Sequence, residues 1–147
     1  MVHLAVAVNM YGADYNSDFF LGNIAPDAIH TRPNTELHDK LCVHLADLPE
    51  QRFARARQLF TQYRNDENGA NEIAFADGYV THLLTDFFWT ERVIVQFHKQ
   101  FPPNLPWEKK RKLYYQETDQ NDFDLYYQMP WRKGIWAKLS ETIPGNF

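Results

Sequence analysis

The chain has 147 residues, of which 44% are hydrophobic and 16% aromatic (11 Phe, 8 Tyr, 4 Trp), with only 6 Gly and 8 Pro. This excludes a low-complexity chain and suits one globular domain over residues 1–147. Fifteen Lys and Arg against 19 Asp and Glu give a formal net charge of -4, which argues against general electrostatic affinity for nucleic acid or anionic membranes. The single cysteine, Cys42, excludes an intrachain disulfide framework and a thiolate-rich zinc site.

Apolar residues recur at helical spacing and nowhere alternate over the length of a strand, so the chain reads as all-α, a multi-helix bundle. A first helix is expected over residues 2–11, ending at Gly12. The apolar run at its start lacks basic residues and is broken by Asn9, so it does not read as a secretion signal. No apolar run approaches the roughly 18–20 residues that cross a bilayer, and a soluble, cytosolic protein is expected. A second short segment covers residues 17–21, after which Gly22 and Pro26 mark residues 22–27 as a turn or loop. Residues 31–35 form another loop, with Asn34 or Thr35 capping a stretch that runs to His44.

Pro49 followed by Phe53, Ala56, Leu59, Phe60 and Tyr63 at steps of three and four marks an amphipathic helix that stops at residues 65–69. From Ala70 to Phe101 runs the longest apolar pattern, wide enough for a central helix of a bundle. Pro102, Pro103 and Pro106 end it. A further amphipathic helix is expected from Trp107 to Tyr127, and a short last one opens at Pro130 and Trp131.

Chemistry concentrates in the stretch from Gly78 to Trp89. His82 and Asp86 are four residues apart, which on a helix brings their Cβ atoms to about 5–6 Å on one face. An imidazole and a carboxylate so placed suit one metal ion, and equally a hydrogen-bonded pair inside an apolar helix. His3 and His44 are further imidazoles among apolar neighbours, and Asp27 follows Pro26 in an apolar turn, where it could merely cap the next segment. Together these three His and two Asp suffice for a one- or two-metal site between helices, with Thr81 and Thr85 as supporting polar groups.

The stretches Phe19 to Asp27, Lys40 to His44 and Gly78 to Trp89, in that order and spacing, resemble the motifs of the zinc-dependent phospholipase C family, related in fold to the S1/P1 nucleases. The resemblance covers about residues 1–90. It implies an all-α fold of the phospholipase C/P1 nuclease type and a metal cluster in a cleft between helices, where phosphodiester or phosphomonoester bonds are hydrolysed. Carried over by motif, Asp27, His44, His82 and Asp86 are metal ligands, with Asp86 bridging two ions and Asp27 also orienting or deprotonating the attacking water. His3 matches the ligand of the N-terminal helix, while Met1 stands where the secreted enzymes use their processed first residue. After residue 90 the chain departs from the pattern. His98, Glu91, Glu108 and Glu117 supply no His-x-x-x-Glu pair, so one or two divalent ions, zinc first among them, are expected instead of three.

The expected function is therefore metal-dependent hydrolysis of a small-molecule or lipid phosphoester; the alternative is a non-catalytic metal- or partner-binding domain that keeps the fold. A nucleic-acid role rests only on the basic run Glu108 to Lys112 beside Trp107, Tyr114 and Tyr115, which reads better as a solvated stripe with its aromatics turned to the core. Trp131, Trp136 and Cys42 read as core residues. His30 and His38 flank the loop between Asp27 and His44 and could approach the site, but in polar, Pro-containing sequence they read better as exposed; Arg32 and Lys40 offer cations to a phosphate or simply face solvent.

Overall fold

The computed structural model describes residues 1–65 and 68–142, and among these every regular element is helical. Helix α1 (Val2–Tyr11) ends at Gly12, whose φ of 80° is left-handed backbone that glycine adopts without strain. Helix α2 (Ser17–Ile24) starts at Asn16, whose side chain accepts from the Asp18 amide at 2.8 Å. A 3₁₀ turn, Pro26–Thr31, leads to α3 (Leu37–Val43). A second such turn, Pro49–Gln51, enters α4 (Arg52–Asn65). Helix α5 (Ala70–Trp89) continues through a π-helical turn, Thr90–Ile94, into α6 (Val95–Lys99), and α7 (Trp107–Gln128) and α8 (Arg132–Glu141) complete the described chain.

Three boundaries differ from the sequence reading, each for a local reason. Helix α2 runs on through Gly22, where a turn was expected. A Cβ at Gly22 would run into the Phe75 carbonyl, and one at Gly78 into the Phe19 carbonyl, so the two glycines let α2 and α5 cross backbone to backbone. The cap of α3 is neither Asn34 nor Thr35 but Glu36, whose amide donates to the Asp39 carboxylate at 2.9 Å. Asn34 instead takes the left-handed φ of 59° that turns the preceding loop. The long apolar pattern is not one α-helix to Phe101: the π turn interrupts it where the Thr90 hydroxyl donates to the Asp86 carbonyl at 2.9 Å. The expected stop of α4 at residues 65–69 includes Asp66 and Glu67, which lie outside the described residues.

Around the α2/α5 crossing, Leu4, Ala7, Phe19, Phe20, Ala74 and Ile135 form the buried core, with Trp131 packed against it. Burying a Leu, Ile or Phe side chain stabilises by about 1.5–3 kcal/mol, so most of the packing energy gathers beside the helix that carries His82 and Asp86. The aromatics of α7 correct the sequence reading: Trp107 is 60% and Tyr115 49% exposed, and Trp136 on α8 is exposed as well. Cys42 is half-buried instead of in the core, with Sγ 3.4 Å from Nε2 of the exposed His38.

Candidate metal centre

Four elements meet at one end of the α1/α5 contact. Helix α1 brings His3, the 3₁₀ turn brings Asp27, the end of α3 brings His44, and α5 brings His82 and Asp86. The five residues singled out in the sequence converge there. His3 Nε2 lies 3.0 Å from Asp86 Oδ1, and His82 Nε2 lies 3.6 Å from Asp86 Oδ2 and 3.9 Å from Asp27 Oδ1. His44 Nε2 is 3.5 Å from Asp27 Oδ1 and 3.8 Å from Asp86 Oδ2. The His3 and His82 rings stack with centroids 3.8 Å apart and planes 8° from parallel.

Backbone carbonyls set the imidazole tautomers. His82 Nδ1 donates to the Asn23 carbonyl at 2.8 Å, and His44 Nδ1 donates to the Lys40 carbonyl at 2.9 Å. A carbonyl can only accept, so each Nδ1 carries a proton and each Nε2 is turned toward the carboxylates. Asn23 is held for this at the α2/α5 crossing, its side-chain amide donating to the Gly78 carbonyl at 3.4 Å. His82 is fully buried, yet its Nε2 has no hydrogen-bond partner. A buried polar atom without a partner costs free energy, and a ring nitrogen aimed between two carboxylates is a place where a cation would satisfy all three groups. The simple His82/Asp86 hydrogen bond weighed from the sequence is not formed, since 3.6 Å is too long and Asp86 bonds His3 instead.

The donor set fits a divalent ion. Two groups each have their ligand atoms within 4.8 Å of one another: His3, His82 and Asp86, and Asp27, His30 and His44. Zinc holds N and O ligands at about 2.0–2.2 Å in a tetrahedron, which separates neighbouring donors by about 3.3–3.6 Å. The Nε2-to-carboxylate distances of 3.0 to 3.9 Å bracket that spacing.

Electrostatics favour charged carboxylates here. Burial pushes the Asp27 carboxyl up, but the His44 hydrogen bond and the nearby His82 and His3 imidazoles outweigh it and leave the pKa below the ordinary carboxylate value. At Asp86 burial is again opposed, by His3 and His82, which hold the group far below the usual range. Asp27 in turn raises the pKa of His44 against the effect of burial.

Of two further residues at the site, the sequence reading set one aside and missed the other. His30, for which exposure was preferred over an approach to the site, is half-exposed and sits with Nε2 3.7 Å from Asp27 Oδ1. Its place three residues after Asp27, behind a helix-starting proline, was the available signal. Arg52 is the cation of the site, in place of the Arg32 and Lys40 considered from the sequence: its Nε donates to the His44 carbonyl at 3.0 Å and its Nη2 lies 3.4 Å from Asp86 Oδ2. Nothing in the sequence around α4 marks it. Thr81 and Thr85 do not support the cluster, because their hydroxyls donate to the Asp77 and Thr81 carbonyls of their own helix.

Beside the cluster lies a cleft of 210 Å³, walled by Met1, Val2, Asp27 and Asp86 on one side and by Tyr114, Thr118 and Asp122 of α7 on the other. Trp89 Nε1 donates to Tyr114 Oη at 2.6 Å and ties the two walls together. Among the described residues no helix is long and apolar enough to cross a membrane.

The model of the family described as zinc dependent phospholipase C matches residues 3–136. No curated protein and no solved structure matches the chain.

Proposed function

Since the chain belongs to the zinc-dependent phospholipase C family, we propose that it is a metal-dependent phosphoester hydrolase of the cytosol, with His3, Asp27, His44, His82 and Asp86 as metal ligands. His30 extends the ligand set at the open rim. The observation that carries this reading is the buried, partnerless Nε2 of His82, held by the Asn23 carbonyl and facing two ionised carboxylates. A bound divalent ion, zinc first among them, supplies an electrophile for phosphoryl oxygens and makes a water acidic enough to attack near neutral pH.

The chain's own residues do the rest. Asp86 brings negative charge to the floor of the site, while His3 and His82 keep it ionised. Asp27 is half-exposed on the cleft side, so its carboxylate can meet both an entering water and the substrate. Its lowered pKa keeps it charged at neutral pH, which suits a residue that orients a water and accepts its proton only in passing. The Asn23 and Lys40 carbonyls keep His82 and His44 in the ligating tautomer.

One observation favours a second reading, a metal- or partner-binding domain without turnover. Arg52 Nη2 lies 3.4 Å from Asp86 Oδ2, so the guanidinium partly takes the place of a cation. The two readings part in one experiment. Protein loaded with zinc or another divalent ion is assayed on phospholipids, single-stranded nucleic acid and simple phosphate mono- and diesters. Hydrolysis that stops on chelation, and falls in Asp27→Asn at least about 100-fold while folding stability is kept, supports the hydrolase. Folded, metal-loaded protein that is inactive across the panel supports the binding domain.

A further inference from the structure

A pocket of 430 Å³ lies between the 3₁₀ turn Pro26–Thr31, the end of α3, α4 and α5, and it shares no lining residue with the cleft at the metal-ligating cluster. Its size falls within the range of small-molecule sites, about 300–1,000 Å³. Pro26, Ile29, Val43, Leu59 and Ala76 make most of its wall apolar. Two tyrosines also line it. The Tyr79 hydroxyl donates to the Val43 carbonyl and is spent on the fold. The Tyr63 hydroxyl has no hydrogen bond to any described residue and stays available to a guest.

Arg32 is the single charged side chain among the described residues of the lining, and no carboxylate accompanies it there. It is also the one exposed residue of that lining, which puts it at the rim. Its guanidinium has neither an ion pair nor a hydrogen bond to any described residue, whereas Arg52, Arg55 and Arg64 each meet an aspartate. A lone cation over an apolar pocket selects a guest with one negative charge and an apolar body. A cation would be repelled, a plain hydrocarbon would leave the guanidinium unused, and a dianion would bring a charge the pocket does not match. A carboxylate meets the guanidinium fork with two parallel hydrogen bonds, and the tyrosine rings suit an aromatic body.

We infer that this pocket binds a small aromatic monocarboxylate, with the carboxylate on Arg32 and the ring between Ile29, Leu59, Tyr63 and Tyr79. The site is separate from the metal centre and does not depend on the hydrolase reading. Pro26 and Val43 are nevertheless chain neighbours of Asp27 and His44, and a carboxylate can also ligate zinc, so binding here has to be told apart from binding to a metal.

Calorimetric titrations with phenylpropionate therefore use the full chain in metal-free and in zinc-loaded form, with phenylpropionamide as the uncharged probe and acetate as the probe without a ring. The wild type should bind phenylpropionate in both forms, and should bind the amide and acetate each at least about tenfold more weakly. Arg32→Gln alters an exposed side chain and should weaken phenylpropionate about tenfold while leaving the amide unchanged. Leu59→Trp fills the pocket from α4 and, once circular dichroism shows it folded, should remove binding of both. If Leu59→Trp does not fold, Arg32→Gln decides alone. A wild type that does not bind phenylpropionate, an amide bound as tightly as the acid, or equal phenylpropionate affinity in Arg32→Gln overturns the proposal. Binding confined to the zinc-loaded form would put the carboxylate on the metal and overturn it too. A concentration-dependent dimer that Leu59→Trp breaks, with no phenylpropionate bound, would assign the pocket to a second copy and overturn it equally.

Discussion

The two longest helices have similar lengths and opposite fates. Helix α5, of 20 residues, buries eight of them, including Asp77, Thr81 and His82, whereas α7, of 22 residues, buries none. Helix α5 can be buried because Gly78 admits the α2 backbone and because each buried polar group has work to do: Asp77 meets Arg64 at 2.7 Å, Thr81 bonds back to the helix, and His82 turns its Nε2 to the cluster. Helix α7 lies along the surface and meets the site only through Tyr114, Thr118 and Asp122. One helix carries the candidate ligands His82 and Asp86 in the buried interior, and the other supplies a wall of the cleft beside them.

That contrast breaks most visibly at the crossing. Gly78→Ala would drive a methyl group into the Phe19 carbonyl, and Gly22→Ala one into that of Phe75, so each should cost about 3 kcal/mol in chemical denaturation, the upper end for overpacking. A cost below about 1 kcal/mol would mean that the helices separate easily.

Acidity separates the two regions next, because the shifted groups of the cluster sit on and around α5. In metal-free protein Asp27 and Asp86 have lowered folded pKa values, so their stabilisation is complete above about pH 4 and is lost as pH falls through those values. The raised pKa of His44 has the opposite sign: its contribution is complete below about pH 6.5 and is lost as pH rises through the folded value. Urea denaturation of metal-free protein should therefore find greatest stability between roughly pH 4 and 6.5. Zinc, which competes with the proton on His44, should move the optimum upward.

Changes on α7 should be smaller. Tyr114→Phe removes the acceptor of the Trp89 indole and should cost about 1 kcal/mol, leaving metal content unchanged. Lys112→Ala on the exposed basic run should stay within about 0.5 kcal/mol of the wild type. A larger effect at Lys112 would mean that α7 contributes more than a wall.

Legibility in the sequence follows the same division. The helical period announced α1, α4, α5 and α7 because each repeats its apolar positions over several turns. Paired His and Asp at i and i+4 announced the site on α5, and motif order drew in His3, Asp27 and His44. Gly22 was misread because a glycine that ends a helix and one that admits a neighbouring backbone look alike until the neighbour is known. The carbonyls of Asn23 and Lys40 were invisible for a different reason: every residue has one, and only the fold decides which faces an imidazole. Arg52 was missed because it arrives from a helix with no motif of its own, and the two threonines misled because a hydroxyl on a helix is readily satisfied by the preceding turn.

The central claim is that His82 Nε2 awaits a cation, and the protein contains its own control. His98 Nδ1 is likewise buried without a hydrogen-bond partner, but it lies against Trp107, outside both candidate ligand groups. Zinc titration of metal-free wild type, His82→Ala and His98→Ala by calorimetry compares the two directly. The account predicts tight binding of one or two equivalents by the wild type and by His98→Ala. In His82→Ala it predicts a loss of more than about 100-fold, beyond what disturbing an outer partner of a ligand costs. Zinc bound equally well by His82→Ala and the wild type would contradict it.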